Sequence, residues 1–223
     1  MKLDLLKTPR FGVIALIVVH FFGVVGILSP LSDLFLVMTP LTLGLSFLAL
    51  VYTQARMSVA QKISILAIGL LGYGVEVLGV WTGFPFGEYA YGPVLGPHLF
   101  AVPPMIGINW ILVVLAASAV SARLASSLKL RVVIAAALMT GFDWVLEPVA
   151  VVLDFWTWGY GLESEVDGHA IPLSNYAAWF VLSLIFCALW QRTAHARLTQ
   201  DKTSFALFWI QLAFFGALRL MLS

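Results

Sequence analysis

The chain has 223 residues, 61% of them apolar and 10% charged, with a mean hydropathy of +1.01. A soluble domain carries about 25% charged residues, so this chain lacks the polar surface to face water on all sides, and a soluble enzyme is excluded. Twelve basic residues against eleven acidic ones leave a net charge of +1, which provides no basic excess for nucleic acid. The single cysteine, Cys187, lies in an apolar run and rules out an internal disulfide or a cysteine-built metal site.

A bilayer crossing needs about 20 mostly apolar residues. Seven runs qualify, at about 11–28, 33–53, 62–82, 103–122, 132–153, 174–191 and 204–222. They predict an all-α, single-domain, multi-pass membrane protein with seven spans. Lys2, Lys7 and Arg10 precede the first run, but Gly26-Ile27-Leu28-Ser29-Pro30 is a poor cleavage site, so this run is expected to be a retained helix. Orientation follows the basic residues. Arg56, Lys62, Arg123, Lys129, Arg131, Arg192, Arg197 and Lys202 fall on the same side as the N-terminal three, and Arg219 alone sits at the far end of the last run. The N-terminus is therefore expected inside and the C-terminus outside, across the cell membrane.

The two outer connections at about 83–103 and 154–172 are rich in Gly, Pro and aromatic residues. Such residues mark turns and settle at the headgroup level, or they fold over the mouth of a cavity. Trp156, Trp158 and Tyr160 alternate at the period of a strand and predict a small hairpin.

Three acids interrupt the apolar runs: Glu76, Asp143 and Glu147. A charge at the bilayer centre costs roughly 2.5–3.5 kcal/mol even on lenient scales, so these groups must face the bundle interior, find partners or stay protonated. Asp143 and Glu147 are four residues apart and share a helix face. Pro148 cannot donate a backbone hydrogen bond and frees a carbonyl one turn earlier. At ~1.5 Å of rise per residue, Glu76 and Glu147 reach the same level in the outer third of the membrane. Asn109 enters that layer from the opposite direction, and Asn175 lies just above it. Gly69, Gly72, Gly79 and Gly83 fall near the face carrying Tyr73 and Glu76, where a helix or a flat ligand can approach the backbone.

Other polar residues point elsewhere. His20 in the first helix and Gln211 in the last are each expected to hydrogen-bond between helices. His98, His169 and His195 lack metal-ligand spacing, so no metal and no cofactor is expected. Paired aspartate-rich motifs of a prenyl transferase, a phosphate loop, and an intrahelical lysine for a retinal Schiff base are all missing from the sequence.

Several blocks carry a family resemblance: Gly72-Tyr73-Gly74-Val75-Glu76, Pro85-Phe86-Gly87-Glu88-Tyr89-Ala90-Tyr91, Asn109-Trp110, Asp143-Trp144-Val145-Leu146-Glu147-Pro148-Val149-Ala150, Trp156 with Trp158, and Ser174-Asn175-Tyr176. Together they resemble the membrane carotenoid hydratases, which include the γ-carotene and bisanhydrobacterioruberin hydratases. The resemblance implies addition of water across the terminal C1–C2 double bond of an acyclic carotenoid end group to give a tertiary alcohol. It also implies a substrate such as lycopene, γ-carotene or a bisanhydrobacterioruberin-like carotenoid, a membrane-lipid setting, and neighbouring carotenoid enzymes as partners.

Such a reaction needs a proton donor, a stabilised tertiary cation and a delivered water. Burial disfavours the charged form of any carboxylic acid, and adjacent carboxyls titrate as a pair. Asp143 is expected to donate, Glu147 to deprotonate the water, and Glu76 to assist across the cavity. Tyr73, Gly79, Phe86, Tyr89, Asn109, Trp110, Trp144, Trp156, Trp158 and Asn175 are the expected substrate contacts, with the faces of Trp144, Tyr73 and Trp110 stabilising the cation. A carotenoid end-group cyclase or isomerase uses the same cation but needs a dry site. A proton-coupled transporter or a pigment-binding protein also places acids or aromatic residues in a membrane.

Overall fold

A computed structural model describes residues 9–53, 57–159, 163–166, 169–194 and 197–222. Its helices are α1 (Pro9–Ile27), α2 (Ser32–Val37), α3 (Thr39–Thr53), α4 (Val59–Thr82), α5 (Met105–Leu124), α6 (Leu128–Val152), α7 (Leu173–Ala194) and α8 (Lys202–Leu222). Short strands lie in the connections: β1 (Tyr89–Tyr91), β2 (Trp156–Trp158), β3 (Glu163–Val166) and β4 (His169–Pro172). Six of the helices, all but α2 and α3, are long and apolar enough to cross a bilayer, and the chain is a multi-pass membrane protein.

The run expected as an unbroken second span is divided. Pro40 has no N–H to offer the carbonyl of Leu36, and its ring crowds that carbonyl. The helix therefore stops at Val37 and restarts at Thr39, leaving a 15-residue α3.

α5 is the hub. Of its apolar window 83% is buried, against 28% for α1. Its sequence explains this: Ala116, Ala117, Ser118, Ala119, Ser121 and Ala122 are all buried, and small side chains let α4, α6, α7 and α8 approach its backbone closely. The outer helices turn large apolar groups outward, such as Phe21, Phe22, Leu66 and Leu70. In water this would be an extended exposed apolar surface; hydrocarbon solvates it.

Helix ends are set locally. Ser58 and Gln61 cap α4 reciprocally: the Ser58 Oγ accepts from the Gln61 N–H at 3.2 Å, and the Gln61 Oε1 accepts from the Ser58 N–H at 2.8 Å. Gly83 ends the same helix at φ 73°, a left-handed conformation suited to glycine.

The strand pattern around Trp156 and Trp158 forms, but not as a local hairpin. β2 pairs antiparallel with β1 of the other outer connection, in the register Tyr89↔Trp158, Ala90↔Thr157, Tyr91↔Trp156. The pairing extends past both ends, where Gly92 N–H donates to the Phe155 carbonyl and Gly159 N–H to the Glu88 carbonyl. A separate hairpin, β3 with β4, follows. Tyr160 lies outside the described residues.

Candidate active site

The β1–β2 ribbon is the key to the site. Side chains alternate across a strand, so Tyr89, Tyr91, Trp156 and Trp158 all point inward, while Ala90 and Thr157 are exposed. Each inward aromatic residue ends in a polar hydrogen, and each of those reaches a carboxyl. Tyr89 O–H donates to Glu76 Oε2 at 2.5 Å and Tyr91 O–H donates to the same oxygen at 2.8 Å. The indole N–H groups of Trp156 and Trp158 both donate to Glu147 Oε2 at 2.9 Å. One ribbon thus clamps two acids on two different helices.

The remaining oxygens are served from below. Trp110 Nε1–H on α5 donates to Glu76 Oε1 at 3.1 Å, and its ring stacks on Trp179 of α7 at 4.4 Å between centroids. The Asn175 amide on α7 donates to Asp143 Oδ2 at 2.8 Å and to Glu147 Oε1 at 3.2 Å, bridging the pair. Asp143 Oδ1 is the one oxygen of the three carboxyls without a hydrogen-bond partner among the described residues. No cation among the described residues pairs with any of the three acids; their partners are neutral donors. Burial and the neighbouring Glu76 push the Tyr89 and Tyr91 phenols well above their ordinary range, so both remain protonated donors.

Between the carboxyls of Glu76 and Glu147 lies a cavity of about 30 Å³. Of the residues named from the sequence, Phe86, Tyr89, Asn109, Trp110, Trp156, Trp158 and Asn175 line it, and so do Tyr91, Ile106 and Trp179. Tyr91 had a sequence signal, since it follows Tyr89 at the strand period. Trp179 had one too, one helical turn after Asn175. Ile106 had none. The common depth of Glu76, Glu147, Asn109 and Asn175 is what joins them here. Asp143 stands behind this wall, connected to it through Asn175.

Three expected contacts lie elsewhere. Trp144 faces outward, 49% exposed, because Asp143 and Glu147 take the interior face of α6. The carbonyl that Pro148 leaves free is that of Trp144, and Arg219 donates to it at 2.7 Å while its guanidinium lies 4.2 Å from the Trp144 ring centre. Tyr73 donates its O–H to the Leu99 carbonyl at 2.5 Å and so ties the outer loop to α4. Gly79 is covered by protein: a Cβ there would stand 2.7 Å from the Tyr89 hydroxyl and 2.8 Å from the Phe86 ring. Gly72 is covered by Trp110 in the same way, at 2.6 Å. The glycine stripe thus seats the rings that hold Glu76.

An all-α membrane bundle with three buried carboxyls, held by neutral donors under an aromatic ribbon, defines a class of intramembrane carboxyl site. Comparison with known proteins makes this specific. The chain matches the carotenoid biosynthesis protein family over residues 38–223, and it belongs to that family. It is 30% identical over 167 residues to the bisanhydrobacterioruberin hydratase of Haloarcula japonica, a match covering 66% of this chain. The match takes in 54% of that relative, so the chain spans about half the length of the curated protein. No solved structure matches the chain.

Proposed function

We propose that the protein is a carotenoid hydratase that adds water across the terminal C1–C2 double bond of an acyclic end group. The observation that carries this reading is the small cavity bounded by Glu76, Glu147, Asn109 and Asn175. A buried water needs ~10–15 Å³ and two to four polar partners, so a cavity of about 30 Å³ with four polar walls suits a nucleophilic water. A cyclase must keep water from the same cation.

In the proposed reaction, one proton is shared by Asp143 and Glu147, which the Asn175 amide holds as a unit. That proton goes to C2 and the double-bond electrons go with it, leaving a tertiary cation at C1. The rings of Trp110, Trp156, Trp158 and Trp179 face the cation, and the Glu76 carboxyl balances its charge from across the cavity. Water adds to C1 and gives up a proton to the Glu147 carboxylate. The pair ends with the proton it started with, and the product has gained one water. Asp143 stands behind the cavity wall, so it supplies its proton by way of Glu147, to which the Asn175 amide couples it, and the place of Glu147 in the wall supports it as the group that meets C2 and the water.

In this topology α2–α3 form a broken seventh crossing and the basic connections stay inside, with the ribbon on the outer side of the plasma membrane. Impermeant labelling of introduced cysteines in a Cys187→Ala background should modify position 164 and spare position 127 in intact cells.

The functional test is expression in cells that accumulate lycopene, followed by pigment mass analysis. The expected product is heavier by one water. A product of unchanged mass with a cyclised end group would replace this reading with the cyclase.

A further inference from the structure

Among the buried polar side chains outside that site, His20 on α1 and Gln211 on α8 line a second cavity. The sequence predicts interhelical hydrogen bonds for both, and the structure shows neither among the described residues. His20 instead donates Nδ1–H to the Leu16 carbonyl at 2.8 Å. That fixes the tautomer and leaves Nε2 as an acceptor. Gln211 is 4% exposed and has no hydrogen-bond partner among the described residues. Its amide lies at a cavity wall, where an entering group can pair with it.

Both side chains line a cavity of about 260 Å³ between α1, α3 and α8. The two side chains come from helices that pack directly on one another, α1 and α8, and Phe214 of α8 stands edge-on to the His20 ring at 5.5 Å. The rest of the wall is mostly apolar, including Ile27, Phe35, Phe155 and Phe215. The volume is close to the ~300 Å³ lower end of ligand pockets. Phe155 places the cavity beside the reaction site, since its ring lies 6.2 Å from that of Trp156.

The polar pair discriminates between ligands. Nε2 can only accept, while the Gln211 amide can donate. An alcohol satisfies both, a ketone satisfies only the amide, and a hydrocarbon satisfies neither. We propose that this cavity binds the hydroxyl-bearing end of an isoprenoid, its O–H donating to His20 Nε2 and its oxygen accepting from the Gln211 amide. Identifying that isoprenoid as the hydrated carotenoid rests on the function proposed above.

The test uses the full chain in lipid nanodiscs, with quenching of tryptophan emission as the binding signal. The probes are lycopene and its 1-hydroxylated derivative. The wild type should bind the alcohol about tenfold more tightly than the hydrocarbon, the combined worth of two modest hydrogen bonds. Gln211→Leu and His20→Phe should each cut that preference to about threefold, and the double variant should erase it, with lycopene binding within about twofold throughout. Gln211→Met, closer in shape, serves if the leucine variant fails to fold. Equal binding of both probes by the wild type, or a preference that survives the double substitution, overturns the proposal. Lycopene turnover measured on the same sample separates the two ideas. Turnover without preference refutes this site and leaves the hydratase standing. Preference without turnover supports the site and refutes the hydratase.

Discussion

The carboxyl layer under the ribbon and the cavity beside α1 and α8 both bury polar groups in a membrane bundle, and they treat them in opposite ways. In the first, five of six carboxyl oxygens have a protein donor, drawn from β1, β2, α5 and α7. In the second, the Gln211 amide and the His20 Nε2 face apolar walls. Saturation fixes geometry, because no oxygen can turn without losing a bond. Unpaired groups beside a larger space suit recognition instead. The contrast is between a layer whose acids are held by protein donors and a larger space whose polar groups are not.

The largest effects should come from the free oxygen and its partner. Asp143→Asn keeps an oxygen toward Asn175 and loses only the acid, so hydration should fall by ~10²-fold or more with an unchanged melting curve. Glu147→Gln should be equally inactive but also less stable by about 1–3 kcal/mol. Its oxygen must serve two indoles, which turns its NH2 group against the Asn175 amide. If either amide variant retains near-normal turnover in a lycopene assay, the saturated layer is structural and the contrast collapses.

Stripping donors from the layer should cost less. Trp156→Phe with Trp158→Phe removes both indole bonds to Glu147 while keeping apolar rings in place. Each such bond to a charged group is worth ~1.5–3 kcal/mol, and a turnover loss of roughly tenfold or more is expected, with substrate affinity little changed. Full activity in the double variant would mean that the ribbon merely covers the site.

Gly79→Ala tests the seat of Tyr89. Its added methyl meets the hydroxyl and the Phe86 ring, and overpacking of this kind costs ~1–3 kcal/mol, visible as a lower midpoint of thermal unfolding. An unchanged midpoint would show that the stripe has slack enough for a ligand after all. The smallest effect belongs to Arg219→Ala, whose partner Trp144 faces away from the carboxyl layer. It should cost ~1 kcal/mol through the lost cation–π contact and the carbonyl bond and leave turnover intact.

Much of this is legible in the chain. Length and hydropathy predict membrane helices because a bilayer core demands a run of apolar residues, and the rise per residue is enough to put Glu76, Glu147 and Asn109 in one layer. The proline after Glu147 announces a free carbonyl, though not that Arg219 fills it. Strand alternation at Trp156 and Trp158 is equally clear, as is the face shared by Asp143 and Glu147. These are local facts, set by helical and strand periods and by which residues can donate a hydrogen bond. Tertiary structure decided what periodicity cannot encode. It paired β2 with β1 across two loops rather than with its own neighbours. It turned Trp144 to the lipid side because two acids already held the inner face. It filled the glycine stripe with Trp110 and Tyr89, and it kept His20 and Gln211 apart on one cavity wall. Each of those outcomes depends on which helices α5 draws against itself, and that is a property of all the packed side chains together.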